Sequence, residues 1–299
     1  MKVLLAIDGS EPAARAAQLI GQLAWPGGSA IRVLAVVQPV VDVTIGMPAL
    51  AISAGVVEEL ATAVRAEAVR VTTATARTLE ATGRIVESAV GEGRPASVIV
   101  DDAKEFGADL VVVGSHGRGP VAATLLGSVS AEVAESAPCS VLVARSSSIS
   151  RLVLADDRSE HSDAARHLVA KMPGFRGLHV HAMTVHESAP GWYGWLTPES
   201  GAEVQAFEDA WDANRAELAA FVERESKGLI EAGLVATAGV REGDPATEIV
   251  ASAREENADL VVMGSRGRTR LSSIVLGSVS RKVLSHAPCS VLLVRDRAR

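Results

Sequence analysis

The chain has 299 residues, with 29 basic and 36 acidic side chains, 48% hydrophobic residues, four Phe, four Trp and one Tyr. The net charge of -7 is spread along the chain, with 11 basic and 15 acidic residues up to Ile149 and 18 and 21 after it, so neither half is a basic module built to coat nucleic acid. Apolar runs stop after five to seven residues, far short of the roughly 20 of a membrane span or a secretory core, and two cysteines cannot build a disulfide framework. A cytoplasmic protein with no membrane and no nucleic-acid partner is expected.

In chain order, strands are predicted at Val3 to Ile7, Ile31 to Val37, Arg84 to Val90, Leu110 to Val113 and Ser140 to Val143. The pattern then returns at Leu152 to Ala155, Leu178 to Val185, Leu234 to Val240, Leu260 to Met263 and Ser290 to Val294. Runs that are apolar throughout suit strands covered on both faces. Between them, Val57-Leu60-Val64-Ala68-Val71 and Leu218-Phe221-Val222-Leu229 recur at helical spacing, and Pro95 and Pro245 mark helix starts.

The return is a duplication. From Gly107 to Arg145 against Asn257 to Arg295, 22 of 39 positions are identical without a gap, including Ala-Pro-Cys-Ser-Val-Leu at 137–142 and 287–292. A period of 150 residues is a repeated domain rather than a solenoid unit. The boundary falls in the polar stretch 145–150, giving domains 1–147 and 148–299. Each copy reads as a doubly wound α/β domain with a five-stranded parallel sheet. Cys139 and Cys289, each between Pro and a short apolar run, read as small buried packing residues.

In such sheets, ligands collect beyond the carboxyl ends of strands where the winding reverses. Asp8-Gly9-Ser10 and Gly114-Ser-His-Gly117 follow the first and fourth strands and flank one crevice if those strands are neighbours. The second segment continues as Gly114-x2-Gly117-x9-Gly127-Ser128, from a strand end to a Gly-Ser that opens a helix. Backbone N–H groups there, with the Ser128 and Ser130 hydroxyls, could hold phosphate oxygens. The glycines could equally serve a tight loop, with Ser128 as a helix cap. The same spacing at Gly264, Gly267, Gly277 and Ser278, beside unrelated filler at 119–125 and 269–275, favours a ligand.

These segments, with Gly91-x-Gly93-x-Pro95, resemble the universal stress protein family, over nearly the whole chain and in a tandem two-domain form. The resemblance implies a Rossmann-like fold, antiparallel pairing of the last strands about a pseudo-two-fold axis, and ATP as ligand, with or without Mg. A further homodimer is left open. It places one site at Ala6, Ile7, Asp8, Val36, Val113, Gly114, Gly117, Gly127, Ser128, Val129 and Ser130. The other falls at Ala155, Asp156, Asp157, Met183, Met263, Gly264, Gly267, Gly277, Ser278, Val279 and Ser280. The second copy departs at Asp156-Asp157-Arg158-Ser159, where Asp156 stands in place of Ile7 and Arg158 in place of Gly9.

Other signals are weaker. Gly91-Glu-Gly93-Arg-Pro-Ala96 fits a dinucleotide pattern formally, but follows the third strand, and its counterpart begins with Arg241. No Walker-type phosphate loop exists. His179, His181 and His186 form one histidine group without a match in the first copy, and read as ordinary polar positions rather than metal ligands. His161 and Ser162 beside Asp157 recur in no nucleophile motif. Gly191-Trp-Tyr-Gly-Trp195 is expected near the adenine end of the second site, as a lid on the protein's own surface or as a ligand contact. The resulting expectation is an ATP-binding, nucleotide-responsive regulator of stress or dormancy adaptation with no catalytic residue. A weak ATPase and a nucleotide-free scaffold are the alternatives.

Overall fold

The computed structural model describes residues 1–39, 54–117, 126–188, 201–267 and 276–295. The Trp192 to Trp195 segment and the filler at 119–125 and 269–275 lie outside the described residues. Ten strands form where the apolar runs predicted them: β1 Lys2–Ile7, β2 Ala30–Val37, β3 Ile85–Glu92, β4 Leu110–Gly114 and β5 Ser140–Ala144 in copy one. Copy two supplies β6 Arg151–Ala155, β7 His179–Glu187, β8 Val235–Gly243, β9 Leu260–Gly264 and β10 Ser290–Val294. The helices are α1 Glu11–Gln22, α2 Ala54–Glu80, α3 Pro95–Phe106 and α4 Ser128–Ser136, then α5 Glu160–Lys171, α6 Gly201–Glu231, α7 Pro245–Glu255 and α8 Ser278–His286.

All strands join one sheet, ordered β3-β2-β1-β4-β5-β10-β9-β6-β7-β8. Within each copy every pairing is parallel, and β1 lies beside β4 as β6 lies beside β9, which puts a switch point in each half. The two fully buried strands β5 and β10 meet antiparallel at the centre, with Leu142 opposite Leu292. These two leucines hold the same place in their copies, so a pseudo-dyad passes between them. Each copy thereby covers the apolar edge that the other would expose.

The seam is locked by two arginines. Arg145, just after β5, donates to the carbonyls of Leu284 and Cys289 near the end of α8. Arg295, just after β10, returns the arrangement by donating to the carbonyls of Ala134, Glu135 and Ala137 at the end of α4. Cations at helix carboxyl ends complement both the unpaired carbonyls and the helix dipole. Burial lowers the pKa of both guanidinium groups.

Two layers of apolar side chains cover the sheet. One holds Ala6, Leu34, Val113 and Val143 with Ala96 and Ile99 of α3 and the matching residues of copy two. The other holds Val3, Leu5 and Ile7 against Ala13, Ala16 and Leu19 of α1, and in copy two Leu152 and Leu154 against Ala165 and Val169 of α5. Cys139 and Cys289 are free thiols, each 3% exposed, and burial pushes the Cys289 thiol up to about 11. The predicted α2 stripe is not buried: Leu60 and Val64 are 44% and 45% exposed and Val57, Ala68 and Val71 half-buried, while the residues α2 does bury, Thr72, Ala76 and Leu79, lie nearer its end.

Candidate functional site

At the switch point of copy two, a cavity of about 490 Å³ opens between the ends of β6, β7 and β9 and the start of α8. Ala155, Asp156, Asp157, Met183, Met263, Gly264, Gly267, Gly277, Ser278, Val279 and Ser280 all line it. Its size falls within the roughly 300–1,000 Å³ of small-molecule pockets. Sequence reasoning missed Val185, Glu187, Asn214, Leu218, Pro245, Ile249 and Arg266 in the same wall. Strand register could have found Val185, because Ala6 pairs with Leu34 and Ala155 with Met183. The true counterpart of Val36 is therefore Val185, two residues beyond Met183. The α6 residues had no such signal, because helix rotation over a sheet is a tertiary property.

All but one of the glycines in the repeated pattern have an internal steric reason, the exception being Gly277, where a side chain would meet nothing nearer than 3.4 Å. A side chain at Gly114 would meet Pro12 and Ala13 of α1 at 2.9–3.1 Å, and one at Gly264 would meet His161 and Ser162 of α5 at 2.8–3.0 Å. At Gly117 it would strike the Asp8 carboxylate at 3.0 Å, and at Gly267 the Asp157 carboxylate at 2.8 Å. Gly127 sits 3.1 Å by the same measure from the Ser115 carbonyl, to which its own N–H donates. Close packing of the loop on the first strand's Asp and helix thus accounts for Gly114, Gly117, Gly127, Gly264 and Gly267 without invoking a ligand, but not for Gly277.

The helix starts tell more. α1, α5 and α7 are capped by Ser10, Ser159 and Asp244, whose side chains accept a first-turn N–H. α4 and α8 begin after Gly127 and Gly277, which offer no such cap. Their first N–H groups face the cleft with the positive end of the helix dipole. Ser128 and Ser278 are exposed at this point. Ser130 and Ser280 are buried and donate to the carbonyls of Gly114 and Gly264 at 2.6 and 3.0 Å. Their protons tie the helix to the strand end, so as phosphate donors only the Ser128 and Ser278 hydroxyls remain.

Copy one brings its residues together in the same pattern. Ala6, Val36, Val113 and Val129 belong to one apolar layer, and Asp8, exposed, accepts from the Ser10 N–H at 2.9 Å while facing Gly117. Ile7 points the other way, into the layer beneath α1, and can offer only backbone to the cleft. His116 beside Gly117 has its pKa lowered by burial, then by Arg145 and Arg15.

The polar departures of copy two are internally committed. Asp156 is 4% exposed and accepts from the Arg158 N–H at 2.8 Å, the Ser162 hydroxyl at 2.7 Å and Arg166 at 2.8 Å. Arg158 has φ +65°, matching Gly9 at +76°, and its guanidinium pairs with Glu217 of α6 at 2.8 Å. Ser162 is bound to Asp156 and to the Ser159 carbonyl, a structural role rather than a nucleophile's. The dinucleotide-like turn is explained by backbone too, with Gly93 and Gly243 at φ +134° and +145°. His181 bonds Thr237 and His186 packs on Trp211, and among the described residues no group of three or more metal-ligating side chains is found.

Fold and site together define a tandem doubly wound α/β protein with a ligand-sized cavity at the switch point of copy two and the same cleft architecture in copy one. The universal stress protein family model matches residues 1–145 and again 148–295, and the chain belongs to that family. A universal stress protein of Thermus aquaticus is 36% identical over 149 residues, 48% of this chain and 97% of the relative. One from Mycobacterium tuberculosis H37Rv is 29% identical over 223 residues, 71% of this chain and 69% of its own. In structure, a universal stress protein from Archaeoglobus fulgidus shares the fold with a TM-score of 0.63 at 22% identity, covering 99% of this chain and 98% of that one.

Proposed function

We propose that the chain binds ATP in the clefts of both copies and acts as a nucleotide-responsive regulator of stress or dormancy adaptation rather than as a fast enzyme. The observation that carries the reading is the pairing, in one cavity, of an apolar slot with an uncapped helix start. Met183, Val185, Leu218, Met263 and Ile249 form a slot suited to a flat base, and the N–H groups after Gly277 lie where phosphates would be met. Asp157 stands between the two ends, beside Gly267, in position to accept from ribose hydroxyls. The equivalent groups of copy one are Ala6, Val36, Val113, Asp8 and the helix start after Gly127.

Isothermal titration of the full chain with ATP tests this. Gly277→Glu is the cleaner probe, since a side chain there meets nothing nearer than 3.4 Å, whereas at Gly127 the loop is 3.1 Å away. Its carboxylate would repel phosphates at the helix start. Loss of one of two bound nucleotides is expected for the single variant, and loss of both with Gly127→Glu added. Unchanged stoichiometry and affinity in the double variant would overturn the assignment.

A further inference from the structure

The cavity wall of copy two differs from the matching positions of copy one at Asp156, Arg158 and Arg266, where Ile7, Gly9 and His116 stand, and again where α6 crosses it. α2 and α6 are continuous helices that end alike, with Leu79 and Leu229 both buried and Gly83 and Gly233 both at positive φ four residues later. They therefore align at a constant offset of 150, which sets Asn214 opposite Val64 and Leu218 opposite Ala68. The far end of the cavity is kept: Pro245, Ile249, Gly264 and Gly277 answer to Pro95, Ile99, Gly114 and Gly127.

Trp211, Asn214 and Leu218 lie on one stripe of α6. Trp211 packs on the buried His186 ring with centroids 4.1 Å apart, and Leu218 is 6% exposed, so the helix is pinned on either side of Asn214. Asn214 stands at the solvent rim of the cavity, a primary amide where copy one carries an isopropyl group. Glu217 on the same face is already paired with Arg158.

We infer that Asn214 is a specificity-determining residue of the copy-two cavity, reading the hydrogen-bonding edge of an adenine base that Val64 in copy one cannot read. The inference rests on the ATP reading above. A side-chain amide presents one donor and one acceptor side by side, and adenine presents the complement, its exocyclic amine beside a ring nitrogen. The isopropyl group of Val64 has neither donor nor acceptor. Copy two is accordingly the selective site, and copy one the tolerant one.

The probes are ATP and purine riboside triphosphate, which has the same phosphates and ring shape but lacks the exocyclic amine. They are titrated into full-length protein carrying Gly127→Glu, which leaves copy two, or Gly277→Glu, which leaves copy one. Copy two should prefer ATP by about tenfold, and copy one should bind the two within about twofold. Asn214→Val should reduce the copy-two preference to that of copy one, and Val64→Asn should raise the preference of copy one. If circular dichroism shows that the Gly127→Glu chain is unfolded, the same ratio is read in the otherwise native chain from tryptophan emission, three of the four tryptophans belonging to copy two. ATP binding in copy two with a preference untouched by Asn214→Val overturns the role of Asn214 alone. Binding of neither nucleotide overturns the nucleotide reading and this inference with it.

Discussion

Beneath the first strand of each copy the same space is filled in opposite ways. In copy one Ile7 is buried among Ala13, Ala16 and Leu19 with Ala17 packed against them, and Thr75 holds the position that matches Glu225. In copy two the equivalent positions are Asp156, Arg166 and Glu225, and Arg166 reaches Asp156 at 2.8 Å, Glu225 at 2.9 Å and Asp163 at 2.8 Å. The Asp156 and Arg166 side chains are 3% and 17% exposed. A charge taken from water is tolerated only with its partners in place, so such positions change as a set or not at all. Asp156, an anomaly when compared with Ile7 alone, is one corner of a substituted cluster.

The largest effect is expected from breaking this set unevenly. Arg166→Met should cost about 3–5 kcal/mol in urea unfolding, because it strands the Asp156 carboxylate. Converting the cluster to its copy-one form with Asp156→Ile, Arg166→Ala and Glu225→Thr should restore or exceed the original stability. A triple variant as unstable as the single one would show that the cluster does more than fill space.

Next in size is the seam. Arg295 serves three helix-end carbonyls and Arg145 two. Arg295→Met should therefore weaken the pairing more than Arg145→Met, each by roughly 1.5–3 kcal/mol as hydrogen bonds to a charged group. The readout is faster hydrogen exchange at residues 141–143 and 291–293. Equal protection in both variants would mean that strand pairing alone holds the copies together.

The smallest effect is at Arg158. A non-glycine residue at φ +65° is strained by roughly 1–2 kcal/mol. Arg158→Gly relieves that but adds chain entropy to the unfolded state and loses the pair with Glu217, whose side chain is 66% exposed. A net change within about 1 kcal/mol is expected, whereas Gly9→Arg, which gains strain while Glu67, at the position of Glu217, is already paired with Arg70 at 2.6 Å, should lower the melting temperature.

Strands and repeat were legible in the residues because they depend on local pattern. Unbroken apolar runs such as Val111-Val112-Val113 mark a strand covered on both sides, and observed ends differ from the expected ones by three residues or fewer, the most at β8, which runs on to Gly243. Side-chain commitments were not legible. That Ser130 bonds the Gly114 carbonyl, that Gly117 is small to admit Asp8, and that α6 turns Asn214 toward the cavity all depend on pairs far apart in sequence. The α2 stripe failed for a related reason: periodicity shows which residues share a helix face, but not how far along its length the sheet extends beneath it.

The arginine locks at the seam have a consequence for descent. Every acceptor they use is a main-chain carbonyl, and at the equivalent positions Ala134 and Leu284 the side chains already differ while the carbonyls serve the same purpose. A recognition code written in backbone is indifferent to substitution on the accepting helix. The two halves of a duplicated gene can accordingly drift apart in sequence and in what their clefts accept, while each still fits the other.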